Sequence, residues 1–223
     1  MCGRFTLFTD YVQILERFDV DVAFAEENYS PSFNVAPSQS VISIINDGSS
    51  NRLGGLLWGL IPSWSKSEKI GYKLINARSE TVESKPSFRH AFLKKRCIIV
   101  MDSFYEWVVG PDGKTPMRIK MKDDGMFGAA GLWESWKNPN GQTIHSCTIL
   151  TTEANTLVKD IHDRMPVILT RENEKEWLNP SLQDKETLKS MLVPFDAALM
   201  EVYPVSSEVN SPKNNHIGLL NSL

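Results

Sequence analysis

Residues 97–107 read Cys97-Ile98-Ile99-Val100-Met101, Asp102, Ser103-Phe104-Tyr105-Glu106-Trp107. Five consecutive apolar residues, too short for a typical helix and rich in β-branched side chains, predict a strand buried on both faces at Cys97–Met101. Working outward, Pro116–Met121 alternates like a half-buried strand, and Asp123-Asp124-Gly125 is expected to turn it into Met126–Leu132. Cys147–Leu150 and Pro166–Leu169 read as further strands. On the N-terminal side, Val41–Ile45 and Leu53–Trp58 form a hairpin through Asn46-Asp47-Gly48. Helical signals are fewer. Thr9 is expected to cap a short helix carrying Val12, Leu15 and Phe18, and Glu153–Lys159, Glu172–Leu178 and Lys185–Leu192 follow late in the chain. Strands that succeed one another through turns imply an α+β class. The expectation is a single domain over residues 1–223, with a largely antiparallel, barrel-like β core and a few flanking helices. A polar tail from about residue 210 is expected to be loosely held.

The bulk numbers narrow the function classes. The chain has 223 residues, 41% of them hydrophobic and 23% charged, the balance of an ordinary globular protein. No apolar run approaches the roughly 20 residues that span a bilayer. Asp10, Glu16 and Arg17 interrupt any leader-like apolar stretch, so no membrane association and a cytoplasmic location are expected. Cys2, Cys97 and Cys147 make an odd count without paired spacing, which points to a reducing compartment. His90, His145, His162 and His216 are scattered, so no metal and no cofactor are expected. The net charge of −3 lacks the usual basic footprint of a nucleic-acid binder. A local groove outweighs the sum, however, and the acidic residues gather in Asp19–Glu27 and Glu172–Glu186.

Four short motifs carry candidate chemistry. In Met1-Cys2-Gly3-Arg4, removal of Met1 would leave a terminal cysteine, with an amine and a thiol on adjacent carbons. With ordinary pKa values of roughly 7.7–8.0 and 8.5, both are partly nucleophilic near neutral pH. Such a pair attacks an aldehyde through nitrogen and closes through sulfur to a thiazolidine. The alternative is that Cys2 is merely the second residue. Arg4 offers a fork that matches phosphate. In the second motif, Trp58-Gly59-Leu60-Ile61-Pro62-Ser63-Trp64, Trp58 suits the core and Trp64 suits stacking on a base. Nearby, Asn76 can hold a carbonyl or amine, and Arg78 shares its face if the segment is extended. Arg78 reads equally as a phosphate ligand or a structural ion-pair partner. In the third motif, Glu106 lies between Tyr105 and Trp107, where desolvation would raise its pKa and make it a general base. Its other reading is an exposed glutamate on an alternating strand. In the fourth, Ile161-His162-Asp163-Arg164-Met165-Pro166, His162 is a general-acid candidate or a structural histidine. Asp163 either orients His162 or pairs with Arg164.

Taken in order, Met-Cys-Gly-Arg-Phe at 1–5, Asn-Val-Ala-Pro at 34–37 and Trp-Gly-Leu-Ile-Pro at 58–62 resemble the SOS response-associated peptidase (SRAP) family of abasic-site sensors. Ile-Asn-Ala-Arg-Ser-Glu at 75–80, Phe-Tyr-Glu-Trp at 104–107, His-Asp-Arg-Met-Pro at 162–166 and Tyr-Pro-Val-Ser at 203–206 extend the resemblance. It implies that Cys2, freed of Met1, cross-links to the ring-opened aldehyde of an abasic deoxyribose in single-stranded DNA. Asn76 would position the cysteine and sugar, Glu106 would manage amine protons, and His162 would assist ring opening and Schiff-base chemistry. Arg4, Asn34, Pro37, Trp64 and Arg78 would contact the DNA. The implied partner is single-stranded DNA with abasic sites, at forks or junctions, engaged by a monomer without cofactor. The peptidase label fits release of Met1, by Cys2 itself or by an ordinary methionine aminopeptidase.

Two rival readings remain at this stage. One is an N-terminal-nucleophile amide hydrolase acting through Cys2. The other is a noncatalytic single-strand-binding module.

Overall fold

The computed structural model describes residues 2–111 and 113–223. In chain order it contains β1 (Phe5–Leu7), α1 (Tyr11–Arg17), β2 (Ser32–Val35), β3 (Ser40–Asn46), β4 (Asn51–Trp58), β5 (Asn76–Arg78), α2 (Arg89–Lys94) and β6 (Arg96–Met101). There follow β7 (Ser103–Gly110), β8 (Gly113–Met121), β9 (Phe127–Lys137), β10 (Thr143–Glu153), β11 (Arg164–Pro166), α3 (Arg171–Leu178), α4 (Lys185–Ser190) and β12 (Met200–Pro204).

The path β10–β4–β3–β6–β9 returns to β10, so these strands close into a barrel. Closure leaves no unpaired edge on that ring. β5 and β11 add to the far end of β10, at Ile149–Thr151 and Thr151–Glu153. A second, open sheet runs β12–β8–β7–β1–β2 beside the barrel. Among the named strands, pairing is antiparallel except where β10 lies parallel to β4 and β5. The α+β class and the largely antiparallel, barrel-like core are thus as expected from the sequence.

One hydrophobic cluster joins barrel and sheet, drawing Phe5 and Phe104 from the sheet and Ile98, Ile149 and Leu132 from the barrel. Every residue of β6 is buried, as the apolar run from Cys97 requires. Its first residue, Arg96, is buried without a carboxylate partner among the described residues. Its guanidinium donates to the carbonyls of Phe92 and Leu93 at the end of α2, and to those of Trp177, Asn179 and Leu182 at and beyond the end of α3. These are carbonyls of the kind that a helix C-terminus leaves without an intrahelical partner.

Three expectations are corrected, and one expected turn joins strands that do not pair with each other. Asp10, not Thr9, caps α1, accepting from Val12 N at 2.9 Å. Thr9 is held instead by Asp102, through its amide at 3.0 Å and its hydroxyl at 2.5 Å. The buried side of that helix is therefore Tyr11, Ile14 and Phe18, with Val12 exposed. Second, the turn at Asp123–Gly125 carries the chain from β8 to β9, but the two do not pair. β8 folds back on β7 through Gly110 and Gly113, while β9 enters the barrel. Third, Glu153–Lys159 is not helical: Glu153 ends β10, and Asn155 Oδ1 takes the amides of Leu157 and Val158 at 3.1 and 3.0 Å. The sheet takes the start of the segment, since Glu153 pairs with Arg164 of β11, and Asn155 caps no more than a turn. Fourth, the tail beyond residue 210 is anchored. Leu219 is buried, Leu223 N donates to Pro204 O, and the carbonyls of Ser211 and Asn214 accept from Asn34.

Candidate functional site

Cys2 lies just before β1 and is 0% exposed. Burial pushes its thiol well above the ordinary range, and the negative charge of Glu106 adds to the rise. Asn76 opens β5, and its Nδ2 donates to the Cys2 carbonyl at 2.9 Å. The pairing of β5 along β10 fixes that side chain, because Ile149 sits opposite Asn76 in the parallel register. Asn76 Oδ1 is buried and has no hydrogen-bond partner among the described residues. An acceptor in that state is costly unless another group supplies a proton to it.

Glu106 lies on β7 and is 3% exposed, so the exposed-glutamate reading is overturned. Desolvation raises its carboxyl above the ordinary value, and the nearby His162 charge pulls in the opposite direction. Glu106 and His162 line one cleft of about 420 Å³, together with Trp107, Lys114 and Asn210. His162 Nδ1 accepts the backbone N–H of Arg164 at 2.9 Å. Asp163 Oδ1 is also 2.9 Å from that nitrogen. One ring nitrogen carries one lone pair or one proton. The fixed amide takes it in the neutral ring, which places the proton on Nε2. The Asp163 side chain, 81% exposed, engages Nδ1 only when the ring is protonated. Arg164 turns away from Asp163. It forms a bidentate pair with Glu80 and donates to Thr151 O at 2.6 Å.

The remaining candidates fall into two groups. Arg4 and Asn34 form an internal cluster. Arg4 Nη1 donates to Asn34 Oδ1 at 2.7 Å and to Val209 O at 2.6 Å, and the guanidinium carbon lies 5.8 Å from the centre of the Trp107 ring. Burial lowers the Arg4 pKa. Asn34 is buried, and its amide nitrogen faces three carbonyls of the C-terminal segment. Pro37, Trp64 and Arg78 lie nearer solvent. Pro37 is half-buried at the turn after β2, Trp64 is 60% exposed, and Arg78 is exposed on β5 opposite the buried Ala77. The strand geometry puts Asn76 and Arg78 on one face. Trp58 is a core residue, with its ring 5.3 Å from Phe5 and Nε1 donating to Ile75 O at 2.9 Å.

Lys114, Asn210 and Glu80 were not singled out from sequence. Asn210 is 103 positions from Trp107, whose Nε1 donates to it at 2.6 Å, and no local pattern announces such a pair. Cys97 and Cys147 are buried free thiols, both raised by desolvation. Among the described residues, no group of three or more His, Cys, Asp or Glu converges as a metal site would require. Among those same residues, no helix is long and apolar enough to cross a membrane.

The segments that carry Cys2, Asn76, Glu106 and His162 all lie within a match to the SOS response associated peptidase (SRAP) family. The model for that family matches residues 1–212, and the chain belongs to it. The chain is 60% identical to the abasic site processing protein YoqW of Bacillus subtilis, over the full length of both. It is 32% identical to the abasic site processing protein HMCES of Gallus gallus, with 85% of this chain and 66% of that one covered. A crystal structure of a protein from Bacteroides thetaiotaomicron superposes with a TM-score of 0.90 at 30% identity, covering all of both chains.

Proposed function

We propose that this chain captures abasic sites in single-stranded DNA as a covalent adduct through Cys2, after loss of Met1. The observation that carries the reading is that Asn76, Cys2, Glu106 and His162 follow one another as neighbours. Asn76 is bonded to Cys2, the Cys2 thiol feels the Glu106 charge, and Glu106 shares a cleft with His162. The names of the relatives, abasic site processing proteins, point the same way.

An abasic deoxyribose is a masked aldehyde. His162 is suited, as the imidazolium, to give its proton to the ring oxygen as the sugar opens, and it is left as the neutral ring. The freed α-amine of Cys2 attacks the aldehyde carbon, and water leaves as the imine forms. Glu106 accepts a proton from the attacking amine, and Asn76 Oδ1 is an unmatched buried acceptor for the other N–H. The thiol then adds to the imine carbon. A C–S bond forms, the thiol proton ends on nitrogen, and the product is a five-membered ring. A buried, protonated thiol is a weak free nucleophile. Held two carbons from the imine nitrogen, it gains the high effective molarity of an intramolecular closure. An exposed indole at Trp64 and a cation at Arg78 suit stacking and phosphate contacts that ignore sequence.

Intact-mass spectrometry tests the reading with a single-stranded oligonucleotide bearing one abasic site. The expected species has the summed mass less one water, lacks Met1, survives heat and maps to Cys2. Cys2→Ser is expected to give only an imine that borohydride must trap. No adduct from protein that begins at Cys2 would overturn the proposal and favour amide hydrolysis by the same thiol.

A further inference from the structure

Trp64 and Tyr72 are the exposed large aromatic side chains among the described residues, at 60% and 67%. They flank one loop, residues 62–73, which also carries Lys66, Lys69 and Lys73 against a single acid, Glu68. In a chain of net charge −3, this is a local positive segment bearing two uncovered rings. Beside Tyr72 lies a small cleft of about 160 Å³, bounded by Ser38, Gly59, Glu68 and Gly71 and floored by Trp58 and Ile61. Pockets for drug-sized ligands begin near roughly 300 Å³. This one has room for a single planar ring system.

The cleft is rigid. Gly59 has φ +134°, and a side-chain carbon there would sit 2.8 Å from Gly71 O, so the two backbones are in direct contact. Ser38 holds φ +71°, and its amide donates to Trp58 O at 2.8 Å. Trp58 also donates to Ile75 O, next to Asn76, so the floor of the cleft braces the segment that holds Cys2.

We propose that Tyr72 and this cleft form a seat for one unpaired nucleobase of the bound strand, separate from the cleft at Glu106 and His162. The proposal rests on the single-strand reading above and adds a second stacking point to Trp64. Glu68, which lines the cleft, repels phosphate, so a base faces the cleft while the three lysines meet the backbone. Stacking on a phenol ring accepts any base, so the seat fixes the position of the strand rather than its sequence.

The test is fluorescence anisotropy with the full chain and a single strand carrying a central tetrahydrofuran, an abasic analogue without an aldehyde. Tyr72→Ala is expected to weaken binding at least about fivefold, the equivalent of about 1 kcal/mol of base stacking. Tyr72→Phe should stay within about twofold of wild type, and both variants should melt like wild type because the side chain is exposed. Strands lacking one further base at successive positions locate the seat. Loss of one particular base should weaken wild type and leave Tyr72→Ala unchanged. Equal affinity of Tyr72→Ala and wild type, or losses that do not depend on position, would overturn the seat and leave the covalent reading intact. A wild-type chain that does not bind the strand at all would overturn both.

Discussion

Arg4 and Asn34 grip the same carbonyl. Arg4 Nη1 donates to Asn34 Oδ1 at 2.7 Å and to Val209 O at 2.6 Å, while Asn34 Nδ2 reaches Val209 O at 3.2 Å. The segment after residue 205 is thereby tied to the strand that follows the candidate nucleophile. Replacing Asn34 by alanine removes three contacts to carbonyls and leaves a half-buried guanidinium short of an acceptor. Each buried group left unmatched costs about 1–3 kcal/mol. Asn34→Ala is expected to lose about 2–4 kcal/mol in urea unfolding and to expose residues 209–215 to limited proteolysis. Unchanged stability with reduced DNA affinity would make Asn34 a direct ligand instead.

Asn76→Asp keeps the shape of the side chain but removes the donor to the Cys2 carbonyl and adds a charge near Glu106. Loss of positioning at the reacting atoms is expected to slow single-turnover cross-linking about 10- to 100-fold. Affinity for a strand with a stable abasic analogue should change less than about threefold. A fall in affinity with an unchanged rate would assign Asn76 to binding alone.

Burial raises the Glu106 carboxyl above its ordinary value of 4.5. As a base it works ionised, so the cross-linking rate should rise with pH through a midpoint above 4.5, and Glu106→Gln should flatten that limb. The sign for stability is opposite. The folded state binds this proton more tightly than the unfolded chain, so the stability it contributes is present below the unfolded pKa and is lost as pH rises through the folded one. Glu106→Gln is therefore expected to melt higher than wild type at pH 7 while reacting more slowly. A lower melting temperature at pH 7 would contradict the desolvation argument.

Arg96→Met is expected to cost about 3 kcal/mol or more, because five carbonyls at and beyond the ends of α2 and α3 lose their donor at once. Arg96→Lys restores one cationic group but not the planar fork, and should recover only part of the loss. Chemical denaturation checks both, and a cost below about 1 kcal/mol would refute the assignment.

How much was readable in advance follows from where the determinants lie. The run at Cys97–Met101, the hairpin through Asn46 and the helical signals at Glu172–Leu178 and Lys185–Leu192 are local, and each became an element close to its expected place. The partner of β8 was not local. Which strand it pairs with depends on β7 and β12, and the turn at Asp123 leads only to the next strand, not to a neighbour. The false helix at Glu153–Lys159 came from propensity, and the pairing of Glu153 with Arg164, distant in kind from any local signal, drew its start into the sheet. In the site, Cys2, Asn76, Glu106 and His162 stood out by residue type. The anchoring of the tail did not, because its acceptors are backbone carbonyls, which every sequence has.

The pairing of Phe5 with Phe104 sets a clock on synthesis. β1 lies between β2 and β7 and cannot gain its second neighbour until β7 has left the ribosome, so about a hundred residues must follow Cys2 before that side is closed. At roughly 5–20 residues per second, the nascent end stays open for on the order of 5–20 s. During that interval it is accessible to a trimming enzyme and to any stray carbonyl compound alike. Afterwards the fold alone decides which aldehydes meet the thiol.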